Sequence, residues 1–228
     1  MDRRTYLRSL AAGAGVGATV GTAGCLGVLG DSGAEGTVLG PPDLDLSEAS
    51  HPSYGDEMPE FTAPDPITGE EVSVADFEGE RAVLWTSFYT NCPDGVCPAL
   101  ILRLRRAQAV AADPTGRNPE YPFVPPQIRD TIGPEAYSDE VAFLPTTFDP
   151  ERDDAEALRE YAGRQGVDLD AGNWHFLRPE SYERARELHD EQFGLAIEKQ
   201  PAEDIENLEY RFPHYGLIIL ANKQGIVE

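Results

Sequence analysis

Residues 88–98, FYTNCPDGVCP, lie between two segments that leave them little conformational freedom. Ahead of them, residues 82–89 are almost wholly apolar, as expected of a central strand covered on both faces. Behind them, Leu100, Ile101, Leu104, Ala107, Val110 and Ala111 recur at helical spacing, with Arg103, Arg105 and Arg106 in between. The stretch is therefore a short loop from strand to helix. Pro98 is expected at the first helical position, where a missing N–H costs nothing. Cys92 and Cys97 are the only cysteines of the main body of the chain. Two sulfurs this close can form a disulfide or grip a soft cation. A helix N-terminus favours a thiolate, so Cys97 in particular is expected to ionise more easily than a free thiol.

The rest of the body supplies a sheet for this loop to sit on. Residues 60–63 and 71–74, separated by Pro66-Ile67-Thr68-Gly69, predict a hairpin. Residues 141–148 predict a second strand, with Pro145 requiring an edge, a bulge or an early end. An acidic stretch, Asp149 to Asp154, heads an amphipathic helix carrying Ala155, Leu158, Tyr161 and Ala162. A short strand over 174–177, a helix over 181–193 and a buried strand over 214–221 follow, and a turn at 222–225 leads into Ile226 and Val227. The Pro-rich residues 118–132 are expected to form an inserted surface loop. Alternating strands and helices with a terminal hairpin predict an α/β domain with a mixed central sheet and flanking helices. A reactive cysteine at the C-terminal end of a strand, opening a helix, is the thioredoxin-like arrangement.

Charge removes one class of partner. The net charge is -23 and the pI about 4.4, which argues against nucleic acid, since binding it rests on Lys and Arg neutralising phosphates. Lys199 and Lys223 are the only lysines. Such a surface resembles that of proteins from extreme halophiles, whose self-repulsion is screened by molar salt; an acidic exported protein of ordinary salinity is the other reading. The first 24 residues read as a targeting segment rather than fold: Arg3-Arg4 and a weakly apolar Ala/Gly run resemble a twin-arginine export signal. Thr22-Ala23-Gly24-Cys25 resembles a lipobox, with Cys25 the residue to be lipidated; an unlipidated leader is the alternative. Residues 25–58 read as a lipid-anchored flexible linker, with His51 solvated in it, and residues 59–228 as the domain. The body is then expected outside the cytoplasmic membrane, where disulfides persist.

Three motifs in order make a resemblance specific. FYTNCPD followed by Cys97-Pro98, then Asp149-Pro150-Glu151-Arg152-Asp153, then His214 just ahead of Gly216-Leu217-Ile218-Ile219-Leu220, resemble the SCO (SCO1/SenC) family across most of residues 59–228. Members of that family are thioredoxin-like copper-binding proteins that help assemble the copper centre of cytochrome c oxidase. The resemblance implies copper held by Cys92, Cys97 and His214, with the copper-bearing oxidase subunit as client. Three features depart from the family pattern. Four residues separate the cysteines instead of three, Pro213 stands where an Asp commonly precedes the histidine, and the chain stops at Glu228 where relatives usually run on, so a C-terminal helix is expected to be missing or truncated.

The residues support this independently. Thiolates select Cu(I), and imidazole suits Cu(II) as well. Gly95 is the expected inserted residue, because glycine tolerates the dihedrals a longer loop needs. His214 also reads as a capped or core histidine, and His175 and His189 as packing or surface residues. Asp94 and Asp149 fit loop and helix capping better than support of a metal site. Three functions remain: a membrane-anchored copper metallochaperone, a thiol-disulfide oxidoreductase using Cys92 and Cys97 as a redox pair, and a binding domain with a permanent disulfide.

Overall fold

The computed structural model describes residues 34–115, 136–203, 205–206 and 208–228. The expected signal segment, Cys25 and the Pro-rich loop at 118–132 lie outside the described residues. Among the described residues, no helix is long and apolar enough to cross a membrane.

The predicted hairpin forms as β1 (Thr62–Asp65) and β2 (Glu70–Ser73), antiparallel with Thr62 opposite Ser73. Asp65 builds its turn by accepting the Ile67 N–H on Oδ1 and the Gly69 N–H on its carbonyl. The apolar run becomes β3 (Ala82–Phe88), the middle strand of the sheet. It pairs in parallel with β4 (Val141–Thr147) and antiparallel with β7 (Ile218–Ala221). The connection between the parallel strands carries α1 (Val96–Ala112). The fold is thus thioredoxin-like, a mixed sheet with flanking helices, as expected.

Strand alternation divides the core into two faces. Val83 and Trp85 of β3, with Ala142 and Leu144 of β4, face the β1–β2 hairpin residues Phe61, Ala63 and Val72. Phe88 and Phe143 face Ile101 and Leu104 of α1 and Leu158 and Tyr161 of α2 (Ala155–Gln165). Asp154 caps α2 by accepting the Glu156 and Ala157 N–H groups, so the acidic stretch does its expected work there.

Pro145 lies inside β4 rather than at its end, and the sheet shows what that costs. On one side it pairs with Thr86 without interruption. On the other, the expected 174–177 strand runs parallel to β4, joined by Phe143 N–H to Asn173 O, His175 N–H to Phe143 O, Leu177 N–H to Pro145 O and Thr147 N–H to Leu177 O. The bond that residue 145 would donate to this neighbour is missing, because proline has no N–H. Residues 174–177 are therefore held as two isolated bridges, Phe143–Trp174 and Thr146–Leu177, and not as a regular strand.

Other boundaries shift. The strand expected over 214–221 is regular only from Ile218, leaving His214 in the extended segment before it. The helix expected over 181–193 is α3 (Tyr182–Glu187), capped by Ser181, and then widens to a π-turn at Leu188–Gln192. A further small hairpin, β5 (Gln200–Pro201) with β6 (Tyr210–Arg211), precedes His214. Within the stretch read as a linker, residues from 34 onward make specific contacts with the body. Glu228 accepts the Val38 and Leu39 N–H groups, and the Asn222 amide donates to Gly36 O and Glu228 Oε1. Polar side chains at the end of β7 satisfy this backbone, which its own composition gave no reason to order.

The π-turn buries His189 completely between Trp85 and Phe148. Its Nδ1–H donates to Ala185 O at 2.7 Å, and Nε2 has no hydrogen-bond partner. Burial drives its pKa down to about 4, so the folded protein holds it neutral. The unfolded chain takes up a proton below about pH 6.5, so this contribution to stability is complete above that pH and is lost as pH falls towards 4, a cost of about 3 kcal/mol. His189→Leu should therefore lose less thermal stability than the wild type between pH 6.5 and 4.5, and equal losses in both would contradict the buried neutral imidazole.

Candidate metal centre

The site forms where β3 ends, α1 begins and β7 is about to start. Tyr89 and Thr90 continue from β3, the loop 91–95 turns, and Gly95 caps α1 at φ 75°. A Cβ at Gly95 would meet nothing within 4 Å, so the left-handed backbone and not crowding favours glycine there. With Gly95 as cap, Cys97 is the second helical residue and Pro98 the third, two positions later than expected. Pro98 is still tolerated, because no N–H of the first turn has an intrahelical acceptor.

His214 arrives from the other side. Cys92 Sγ, Cys97 Sγ and a His214 ring nitrogen lie within 4.8 Å of one another, the one such group of three metal-ligating side chains among the described residues. His214 Nε2 is 3.2 Å from Cys97 Sγ and 4.0 Å from Cys92 Sγ. Its other nitrogen, Nδ1, is 2.8 Å from Phe212 O. A carbonyl can only accept, so Nδ1 carries a proton, and Nε2 is the ring atom turned to the sulfurs. Tyr89 and Phe148 wall the ring, edge-on and tilted respectively. The two arms touch at Gly216, where an added Cβ would fall 2.5 Å from Val96 Cγ1.

The ionisation expectation is reversed between the cysteines. Cys97 is fully buried, and desolvation followed by the Cys92 charge pushes its thiol up, outweighing its place at the helix N-terminus. Cys92 is pulled down to about 4, first by the Cys97 S–H donating to it, then, against the cost of burial, by His214 and the Asp94 and Cys97 backbone N–H groups. The pair thus shares its proton unequally, with Cys92 the thiolate. Burial works to lower the His214 pKa, but the bonds to Cys92 and Phe212 O prevail and raise it.

The remaining candidates fall elsewhere. Asp94 is exposed and supports Cys92 through its backbone. The buried Asp149 carboxylate accepts from Tyr210 OH at 2.9 Å and pairs with Arg152 at 3.0 Å, bracing β6. His175 Nδ1 lies 3.4 Å from Asp65 Oδ2, His51 Nδ1 3.0 Å from Pro52 O, and His189 in the core. Asp153 and Thr90 were missed as contributors, although the sequence held the signal in the last residue of Asp149-Pro150-Glu151-Arg152-Asp153. Asp153 is fully buried and accepts the Thr90 N–H at 3.2 and 3.3 Å and the Thr90 hydroxyl at 2.5 Å, together with the Thr147 hydroxyl.

A comparison with known proteins agrees with the resemblance read from the sequence. The SCO1/SenC family model matches residues 126–228, a span that contains the second motif and His214 but not the cysteine loop. The fold is similar to that of a SCO1/SenC family lipoprotein from Bacillus anthracis (TM-score 0.53, 19% identity, 75% of this chain and 81% of that one). It is similar to Bradyrhizobium japonicum ScoI with copper bound (0.52, 19%, 75% and 87%) and to yeast Sco1 with copper bound (0.51, 17%, 78% and 78%). No curated protein matches the chain in sequence.

The donor set fits copper: two sulfurs select Cu(I), and one imidazole whose Nε2 faces them extends the set towards Cu(II). In the metal-free, reduced protein, iodoacetamide at pH 6 should alkylate Cys92 first and leave Cys97 unmodified until the protein is denatured. Equal labelling of both, followed by mass spectrometry, would contradict the unequal sharing of the proton. Gly216→Ala should push the His214 segment away from Val96 and weaken binding of added Cu(I), which a competition titration would detect.

Proposed function

We propose that the chain is a SCO1/SenC-type copper metallochaperone, in which Cys92, Cys97 and His214 hold copper as cargo for the copper centre of cytochrome c oxidase. The convergence of two sulfurs and one imidazole within 4.8 Å, from segments 117 and 122 residues distant in sequence, carries this reading. A disulfide needs only the sulfurs. The imidazole, with its Nδ1 engaged by Phe212 O, adds a third donor that a disulfide does not need. Support for copper comes also from the copper-bound ScoI and Sco1 structures of the same fold.

The chain's residues divide the work of capture. Cys92, half-buried and already a thiolate, is the first sulfur an arriving ion meets. Cys97 must give up its proton as the ion settles, so affinity should fall at acid pH. His214 closes the set from the β7 side. The twin-arginine-like leader and the lipobox-like Cys25 support a position at the extracytoplasmic face of the cell membrane, held by lipid. Stable anchoring there takes more than one acyl chain.

A second reading rests on the asymmetry of the pair. An accessible thiolate beside a buried thiol is the layout of a thiol-disulfide oxidoreductase. Cys92 would attack a client disulfide, releasing one client thiolate. Cys97, after losing its proton, would attack the mixed disulfide and release the second, leaving Cys92–Cys97 oxidised and the client reduced by two electrons.

A Cu(I) titration of the reduced soluble domain separates the two. Cys92→Ser and Cys97→Ser should abolish tight one-to-one binding, and His214→Ala should weaken it by about tenfold or more and remove Cu(II) binding. Binding indifferent to His214→Ala would overturn the chaperone reading in favour of the oxidoreductase.

A further inference from the structure

The loop that carries Cys92 is fastened beside the sheet through Thr90. After Phe88 the chain leaves β3, and Phe148 N–H donates to Phe88 O, the last ladder-like contact before the strands part. Thr90 then turns its N–H and its hydroxyl to the same acceptor, the Asp153 carboxylate. Thr147, the last residue of β4, gives its hydroxyl to the other oxygen of that carboxylate. Asp153 is itself set by its N–H donating to Asp149 O at 3.0 Å and by Asp154, the cap of α2, one residue later. A fully buried carboxylate with these donors gathers the end of β3, the end of β4 and the head of α2. Burying an acid is costly without such partners. Burial raises its pKa to about 6, against the pull of the two threonines.

We propose that Asp153 is the positioning residue of the cysteine loop, acting through Thr90 to fix where Cys92 stands relative to Cys97 and His214. Cys97 is held by α1 and His214 by Phe212 and the walls of Tyr89 and Phe148. Cys92 is in neither a helix nor a strand, and the loop from 91 to 95 is exposed except at Cys92 itself. Two residues beyond Thr90, it depends on that anchor for its place. The longer spacing between the cysteines makes the anchor more important, since each added loop residue widens the range of Cys92 positions. The inference deepens the copper reading and rests on it for the affinity measurement only.

The test uses Thr90→Val, which keeps the shape but removes the hydroxyl donor, Thr90→Ser, which restores it, and Asp153→Asn as the harsher change. Thermal melting, Cu(I) affinity by competition, and the pH profile of Cys92 alkylation in metal-free protein are measured on each. Thr90→Val should lower Cu(I) affinity by about tenfold and move the alkylation profile to higher pH, while Thr90→Ser stays within about threefold of wild type. Asp153→Asn, where folded, should match or exceed Thr90→Val. A purely structural acid would lower the melting temperature of Thr90→Val and leave affinity and profile unchanged, and that result would overturn the proposal. If the wild type fails to bind Cu(I), the copper reading falls, and the alkylation profile alone still decides the role of Asp153.

Discussion

Everything at the site depends on the double pairing of β3. Trp85 sits opposite Leu144 on one side and Ile219 on the other, so one central strand sets the height of both neighbours. The parallel partner brings Thr147 to the level of Phe88, which puts the acidic stretch after β4 beside the residues leading to Cys92. The antiparallel partner runs the other way, so its beginning, and with it His214, reaches the same edge. Sulfur and imidazole meet because one strand of a mixed sheet has neighbours of both directions.

This sheet edge also decides how the two thiols differ. A helix N-terminus and a neighbouring imidazole act on both sulfurs, yet only one becomes a thiolate. Cys97, in the first turn of α1, is buried in the apolar cluster that also holds Ile101 and Tyr89, where desolvation outweighs the dipole. Cys92 stays near the surface, receives hydrogen bonds and keeps the charge. Depth of burial, more than helix position, settles which sulfur is reactive.

That balance marks the boundary of what the sequence could disclose. The apolar run of β3, the hairpin and the amphipathic α2 were legible because strand and helix periods are local. The triad was legible because its motifs appear in family order, and the widened spacing pointed to Gly95. The ionic asymmetry was not legible, since accessibility at Cys97 is set by residues far along the chain. Asp153 showed the same limit: its letter said acid at a helix head, a role that its neighbour Asp154 fills, and only the folded chain shows which donors it meets. Residues 36–39 read as linker because their partners, Asn222 and Glu228, lie at the other end of the sequence.

Those partners stand at the C-terminal end of β7, the end opposite His214. With β3 spanning about 20 Å, the early residues are clasped at one pole of the sheet and the sulfurs open at the other. The full length of the central strand thus separates the clasp from the sulfurs, so each end of the sheet carries its own set of attachments.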